Sequence, residues 1–413
     1  MVATNSTEDA GSVRSARGIA ADGLRRHNLA VILRQLHMHG AHSRSQLTSL
    51  TGLNRSTIGD LIGQLASLGL AEEVQPRSVT GPGRPSPVVS TNPAGAVVLA
   101  LELDVDSIAA ATIGLGGHVF GLTRATRPRA HRSPQEVVRD VRDLAMPLLD
   151  RLPAGHNLVG VGAGVAGVTR RSDGFVHIAP NLGWKDVPLG DIVRAELDLG
   201  VSIMVANEAD AGAFGEYRRG ESAGARNLVY ISGDVGIGVG VVVNGDVLRG
   251  QAGYAGEAGH MTVNPTGHAC RCGSIGCWET EAGVAALLRR LSLDTDSPSA
   301  DIVSEIVTQA ATGNRKTIDA LEELGGWVGV GVANLVNIFN PEVVVLGGGY
   351  HKLYPFLEAA VLAQLESRAL AAPASIVEVA PSRLGQDAPL IGAAEAVLSR
   401  IVENPAEAKA NAQ

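Results

Sequence analysis

Three cysteines, Cys270, Cys272 and Cys277, lie within eight residues, and the chain contains no others. An odd number packed this tightly makes a poor disulfide framework and a good metal clip. With one imidazole, three thiolates complete a closed tetrahedral set for structural zinc, with bonds of roughly 2.0–2.3 Å. His260 and His268 compete for the fourth place. His268 would set three ligands along one face of an H-x-C-x-C strand, which is hard to wrap around a tetrahedron, so the spacing favours His260. Gly273 and Gly276 allow the backbone to fold back and bring Cys277 to the same ion. The alternative is three reduced cysteines without metal, and their exclusive clustering argues against it.

A second group of residues could read DNA. Arg55, Ser56 and Thr57 open a segment with helical apolar spacing, and Gln64 follows two turns later. At the start of a recognition helix, arginine can bond bidentately to guanine, while serine and threonine reach bases or phosphates. Asp60 on the same helix would repel phosphate, so it must face away or accept from a cytosine amino group. Arg84, between Gly83 and Pro85, is placed to enter a minor groove or hold a phosphate. Residues 1–90 hold nine arginines against six acids, although the whole chain carries −8. The body is therefore acidic, and any DNA contact is confined to the N-terminal segment. The plainer alternative is a three-helix bundle that only packs or binds protein.

The elements that would position these residues follow from periodicity and caps. Residues 1–20 read as a disordered tail. Leu24, Leu29, Ile32 and Leu36 recur at helical spacing between Asp22 and His39, and Gly40 ends the run. Ser43 and Gln46 form a capping box, Gly52 supplies a turn, and Asn54 caps a third helix. That helix has Ile58, Leu61, Ile62, Leu65 and Leu68 on its apolar face and Gly69 as its stop. Strand-like residues 70–75 and 88–90 flank a Pro/Gly/Ser-rich stretch, as a wing would. Residues 21–90 are thus expected to be a winged helix-turn-helix. From about Val97 apolar strands, glycine turns and helices alternate, an α/β pattern expected over 95–402 with a frayed tail at 403–413.

At 413 residues the chain needs two or three folded units, and 45% apolar with 18% charged residues is the composition of a soluble globular protein. No apolar run approaches the ~18 residues that span a bilayer. The first 18 residues lack the hydrophobic centre of a signal peptide. A cytoplasmic, nucleoid-associated protein with no membrane partner is expected.

Together these motifs are similar to a known family. The winged helix-turn-helix, Gly-Glu-Ala-Gly-His at 256–260 and Cys-x-Cys-Gly-x-x-Gly-Cys-x-Glu at 270–279 resemble the ROK family of repressors, open reading frames and kinases. Further landmarks are Ala179–Trp184, Ala206–Ala209, the glycine run 233–240 and Leu346–Gly349. The resemblance covers about residues 22–402. It implies a two-lobed, actin-like (ribonuclease H-like) ATPase fold with a sugar pocket in the cleft. Carried over by motif, Asn207, Glu208, Glu257, His260 and Glu279 would contact sugar, with Asn181 nearby, and His260 would be the zinc ligand. Carboxylates, amide and imidazole suit vicinal hydroxyls.

The same resemblance raises the question of phosphoryl transfer. Family kinases carry Asp-x-Gly-x-Thr/Ser in the first strand-turn, where small residues let backbone amides approach phosphate. Here the stretch reads Glu102-Leu103-Asp104-Val105-Asp106-Ser107. The glycine is replaced and three acids stand where polyphosphate would lie. Like charges at ~4 Å cost about 1 kcal/mol in water and more in a cleft. The Asn-Asp pair of the kinases is Asn207-Glu208, whose extra methylene displaces the carboxylate by about an ångström. No residue is therefore assigned as catalytic. The expected function is a sugar-responsive regulator, a repressor in the first instance, binding an inverted-repeat operator as a homodimer or homotetramer. The alternatives are an ATP-dependent hexose kinase carrying a DNA-binding head, and a regulator that senses a phosphosugar or a partner protein instead of a free sugar.

Overall fold

The computed structural model describes residues 9–74, 87–127, 132–220, 224–294 and 299–409. Its first helix, α1 (Asp9–His39), starts inside the stretch expected to be a disordered tail. Residues 9–21 contain alanines and arginines and no proline, so nothing stops the helix from propagating backwards from its apolar half. That half buries Leu29, Ile32, Leu33 and Leu36, whereas Leu24 is 62% exposed, off the apolar face on which its spacing had placed it.

The short strand β1 (His42–Ser43) leads into α2 (Arg44–Thr51), whose capping box closes as its sequence dictates. Ser43 Oγ accepts from Gln46 N at 3.2 Å and Gln46 Oε1 from Ser43 N at 2.8 Å. Gly52 ends α2 at φ 69°, a left-handed conformation costly for other residues. Asn54 caps α3 (Arg55–Ser67), which buries Ile58, Leu61, Ile62 and Leu65. Strands β2 (Ala71–Val74) and β3 (Val88–Thr91) complete a three-stranded sheet in the order β1-β3-β2. The expected wing residue Arg84 lies outside the described residues.

Two five-stranded sheets form the body. The first, in the order β11-β7-β4-β5-β6, comprises β4 (Val97–Leu103), β5 (Ser107–Gly114), β6 (His118–Thr126), β7 (Leu158–Val165) and β11 (Ile203–Asn207). A small sheet of β8 (Val168–Arg170), β9 (Phe175–Ala179) and β10 (Trp184–Val187) projects from it. The second, in the order β14-β13-β12-β15-β16, comprises β12 (Leu228–Gly233), β13 (Ile237–Val243), β14 (Asp246–Val247), β15 (Val343–Gly348) and β16 (Glu378–Pro381). Each sheet is an antiparallel meander extended by two parallel strands, so the lobes repeat one topology.

Every residue of β4, β5 and β12 is buried, because helices cover both faces of each sheet. In the first lobe α4 (Pro134–Leu149) and α5 (Leu189–Leu197) cover one face. In the second, α7 (Trp278–Ala282), α8 (Val284–Leu291), α9 (Ser299–Ala311), α10 (Arg315–Phe339) and α11 (Tyr350–Arg368) share a core with the strands. The remaining faces are exchanged. Helix α6 (Glu208–Arg219) leaves the first lobe and packs on β12 and β13, while the last long helix, α12 (Ala388–Glu403), leaves the second lobe and packs on β4 and β7. The two exchanged helices pack against each other.

The N-terminal head is not a separate bead. One apolar cluster runs from Leu33, Leu47 and Leu65 through Ala96 and Val98 to Leu390, Leu398 and Ala408. The expected frayed tail is accordingly ordered through Pro405–Lys409, because Ala408 is buried and its carbonyl accepts from Asn157 Nδ2 at 2.8 Å.

Candidate functional site

The cysteine segment folds into a clip. Gly273 at φ 95° and Gly276 at φ 72° turn the chain back, and a Cβ on Gly276 would lie 1.6 Å from the Asn264 carbonyl oxygen. Cys270, Cys272, Cys277 and His260 then present ligand atoms all within 4.8 Å of one another. Cys272 Sγ stands 3.7 Å from Cys277 Sγ, and Cys270 Sγ stands 3.7 Å from His260 Nδ1. A tetrahedron with bonds of about 2.3 Å has edges of about 3.8 Å, so the set fits a zinc-sized ion. His268 turns away to Glu281 Oε1 at 3.3 Å.

A cleft of about 290 Å³ opens beside the clip, at the small end of ligand-pocket sizes. It brings together Asn181, Asn207, Glu208, Glu257, His260 and Glu279. Asn207 caps α6, its Oδ1 accepting from Ala209 N at 2.8 Å and Asp210 N at 3.2 Å. Its Nδ2 donates to Gly167 O at 3.1 Å, which leaves one amide N–H for a ligand. Asn181 Oδ1 accepts from Arg271 of the clip at 3.3 Å. Glu279, on the first turn of α7, accepts from Cys270 Sγ at 2.8 Å, joining clip to cleft.

Glu208 is the odd member. Its Oε2 is shielded from water and has no hydrogen-bond partner among the described residues. Burial, with the negative charge of Asp104, pushes its pKa well above the usual carboxylate range. Burial likewise raises Glu257, reinforced by the Glu279 charge and opposed by His260.

The end of β4 and the loop after it gather Glu102, Asp104 and Asp106 beside Asp234. Burial and the other three carboxylates push Asp104 well above its ordinary value. Arg124 of β6 fills the space against them, donating to Glu102 Oε2 at 3.0 Å, Asp387 Oδ1 at 3.2 Å and the Gln386 carbonyl at 3.0 Å. The glycine runs serve packing. A Cβ on Gly233 would meet the Tyr350 ring at 2.2 Å, and one on Gly347 the Tyr230 hydroxyl at 2.2 Å.

A profile of the ROK family matches residues 98–400. The chain belongs to the ROK family. It is 30% identical over 378 residues to the xylose repressor of Bacillus subtilis, covering 91% of this chain and 96% of that protein. The crystal structure of a ROK family transcriptional regulator, a homologue of the E. coli MLC protein, superposes with a TM-score of 0.72 at 24% identity. It covers 92% of this chain and 97% of that one, and at that identity it speaks for the fold. A ROK family glucokinase from Streptomyces griseus, in complex with glucose and AMPPNP, superposes with a TM-score of 0.62 at 27% identity, over 73% of this chain and 98% of the kinase.

In this ROK protein the head meets the body through buried polar contacts. His37, 2% exposed, lies 2.9 Å from Glu395 Oε2, and its Nδ1 accepts from Gly116 N at 3.0 Å. With Nδ1 accepting, the ring proton sits on Nε2 and is donated to Glu395. Arg219, the last residue of α6, donates to Glu395 Oε1 at 2.7 Å and to the His37 carbonyl at 2.8 Å. Burial would raise Glu395, but the hydrogen bonds of His37 and Arg219 and the Arg219 charge prevail and hold it at about 2.

On α3 Arg55 and Ser56 are exposed, while Thr57 and Gln64 are half-buried. Ser56 Oγ donates to Asn54 Oδ1 at 2.7 Å, and Gln64 Oε1 accepts from Arg25 of α1 at 2.9 Å, so Gln64 is tied into the head's own packing. Arg124, Arg271 and Arg219 were not found by sequence reasoning. Their partners lie far away along the chain, and no local motif announces them. Among the described residues no helix is long and apolar enough to cross a membrane.

Proposed function

We propose that this ROK protein is a sugar-responsive transcriptional repressor that has given up phosphoryl transfer. The observation that carries the reading is the course of α6. Its first residue is Glu208, in the cleft, and its last is Arg219, on the head. Its 12 residues make a rod of about 18 Å between the two.

Asn181, Asn207, Glu208, Glu257, His260 and Glu279 are the residues assigned to the sugar. An unpaired buried acceptor such as Glu208 Oε2 costs ~1–3 kcal/mol, which a sugar hydroxyl would recover. His260, Cys270, Cys272 and Cys277 would hold zinc, whose part is to fix the loop carrying His260 and Glu279. Sugar favouring one lobe arrangement would move α6, and with it the pair of heads on an inverted-repeat operator. A differential affinity of about 1–3 kcal/mol suffices. Arg55, Ser56, Thr57, Gln64 and Arg84 are the proposed DNA contacts, and the working unit is a cytoplasmic, nucleoid-bound homodimer or homotetramer.

Loss of the kinase reaction rests on the acidic loop, where Asp104 and Val105 replace small residues and Arg124 already pairs with Glu102. The B. subtilis relative is named for xylose, so D-xylose is the first effector to try, followed by D-glucose. Anisotropy of a labelled promoter fragment should show sugar changing operator affinity by about 5–150-fold, and Glu208→Gln should erase the response. Operator binding indifferent to every monosaccharide in a panel would overturn the reading. Sugar-dependent ATP turnover in a coupled assay would restore the kinase.

A further inference from the structure

A second cavity, of about 310 Å³, runs along α6. Asn207, Asp210, Phe214 and Arg218 of that helix line it, and Asn207 also lines the cleft described above. Four arginines reach it from four separate segments: Arg171 after β8, Arg218 on α6, Arg249 after β14 and Arg400 on α12. Among the described residues none of the four has a carboxylate within 4.0 Å, whereas Arg124, Arg132, Arg142, Arg219 and Arg290 of the body do.

Their donors are poorly used. Arg218 Nε is shielded from water without an acceptor, and its other nitrogens make only long contacts, to Met38 Sδ at 3.6 Å and Ser399 Oγ at 3.5 Å. Its guanidinium lies over the Phe214 ring at 4.9 Å. Among the described residues Arg171 reaches only Met204 Sδ, at 3.5 Å. Burial, together with the Arg249 and Arg400 charges, lowers the Arg171 pKa, as expected of crowded cations lacking their counter-ion. Asp210, Asp246 and Glu403 share the wall; burial pushes Asp210 up to about 7, so near neutrality it is about half ionised and the four guanidinium groups keep the excess of charge.

We propose that this chamber binds a small organic phosphomonoester, its phosphoryl oxygens held by Arg171, Arg218, Arg249 and Arg400 and its carbon skeleton resting towards Phe214. Guanidinium forks match phosphate oxygens bidentately, and four forks exceed what a monocarboxylate can engage. A volume of about 310 Å³ suits a metabolite. Since Arg218 touches Met38 of α1 and adjoins Arg219, an anion here would act on the same rod that links cleft and head. The site is independent of the sugar assignment, sharing only Asn207 with it.

The test is calorimetric titration of the full chain, at constant ionic strength, with inorganic phosphate, hexose and pentose monophosphates and the parent sugars. Arg249 and Arg400 are exposed, so the double variant Arg249→Ala/Arg400→Ala should fold; Glu257→Ala is the cleft control. The expected result is saturable binding of an ester, weakened at least tenfold in the arginine variant and unchanged in Glu257→Ala. Absence of saturable binding, or full affinity in the arginine variant, overturns the proposal. So does loss in Glu257→Ala alone, which would seat the phosphate in the cleft. Inorganic phosphate binding as tightly as every ester would reduce the chamber to an adventitious ion site, with the same consequence.

Discussion

His37 and Glu395 are 358 residues apart in sequence and 2.9 Å apart in space. The first belongs to the helix that opens the head, the second to the helix that closes the chain. Arg219 still holds Glu395 when His37 is removed, so the loss is that of a buried hydrogen-bond donor, about 1–3 kcal/mol. His37→Ala should therefore lower stability by about that amount in urea titrations of the full chain. It should also blunt the sugar response of operator binding, and His37→Gln, which keeps a donor, should restore part of both. A full sugar response in the destabilised alanine variant would show that the signal travels elsewhere.

Two acids give stability opposite pH dependences. Glu395 is held at about 2 against an ordinary 4.5, so its contribution is present above pH 4.5 and is lost as pH falls towards 2. Asp210 is raised to about 7 from 3.8, so folding takes up a proton between these values and stability declines as pH rises through that window. Asp210→Asn should accordingly raise the melting temperature at pH 8 and leave it nearly unchanged at pH 3. Equal melting of the two proteins at pH 8 would rule out a strained carboxylate there.

Metal removal should act on the cleft before the head. The clip carries Cys270 next to Glu279, whereas the head's core contains no residue of the clip. Chelation, or Cys272→Ser, should abolish one equivalent of zinc by mass spectrometry of the metal and weaken the sugar response more than tenfold. Operator binding without sugar should survive.

Arg55 is exposed at the first turn of α3, where a base contact is worth about 1–3 kcal/mol. Arg55→Ala should weaken operator binding by roughly 5–150-fold and relax preference at one base position in each half-site. A uniform loss across all sequences would make it a phosphate contact instead.

What the sequence revealed depended on distance along the chain. The Ser43–Gln46 capping box, the Asn54 cap and the cysteine clip are closed within a few residues, and each forms as its spacing dictates. The six cleft residues became visible through motifs that resemble a family, since nothing local ties Asn181 to Glu279. The Arg124–Glu102–Asp387 and Arg219–Glu395–His37 contacts join segments separated by 22 to 358 residues, and neither spacing nor composition encodes them. The glycine runs were legible as glycines but not as seats for the Tyr230 and Tyr350 rings. The ordered end at Ala408 was hidden because an alanine-rich tail carries no signal until a surface exists to receive it.

The apolar cluster that runs unbroken from Leu47 to Ala408 limits how such a regulator can be re-engineered. Grafting a foreign reading head at Asn92, the obvious seam, would cut through shared interior and expose Ala96, Val98 and Leu390 to water. A chimera that keeps all the buried residues of the head and exchanges only the exposed ones of α3 would keep that interior shut. New operator specificity in this architecture is more readily reached by changing the face of one helix than by importing a module.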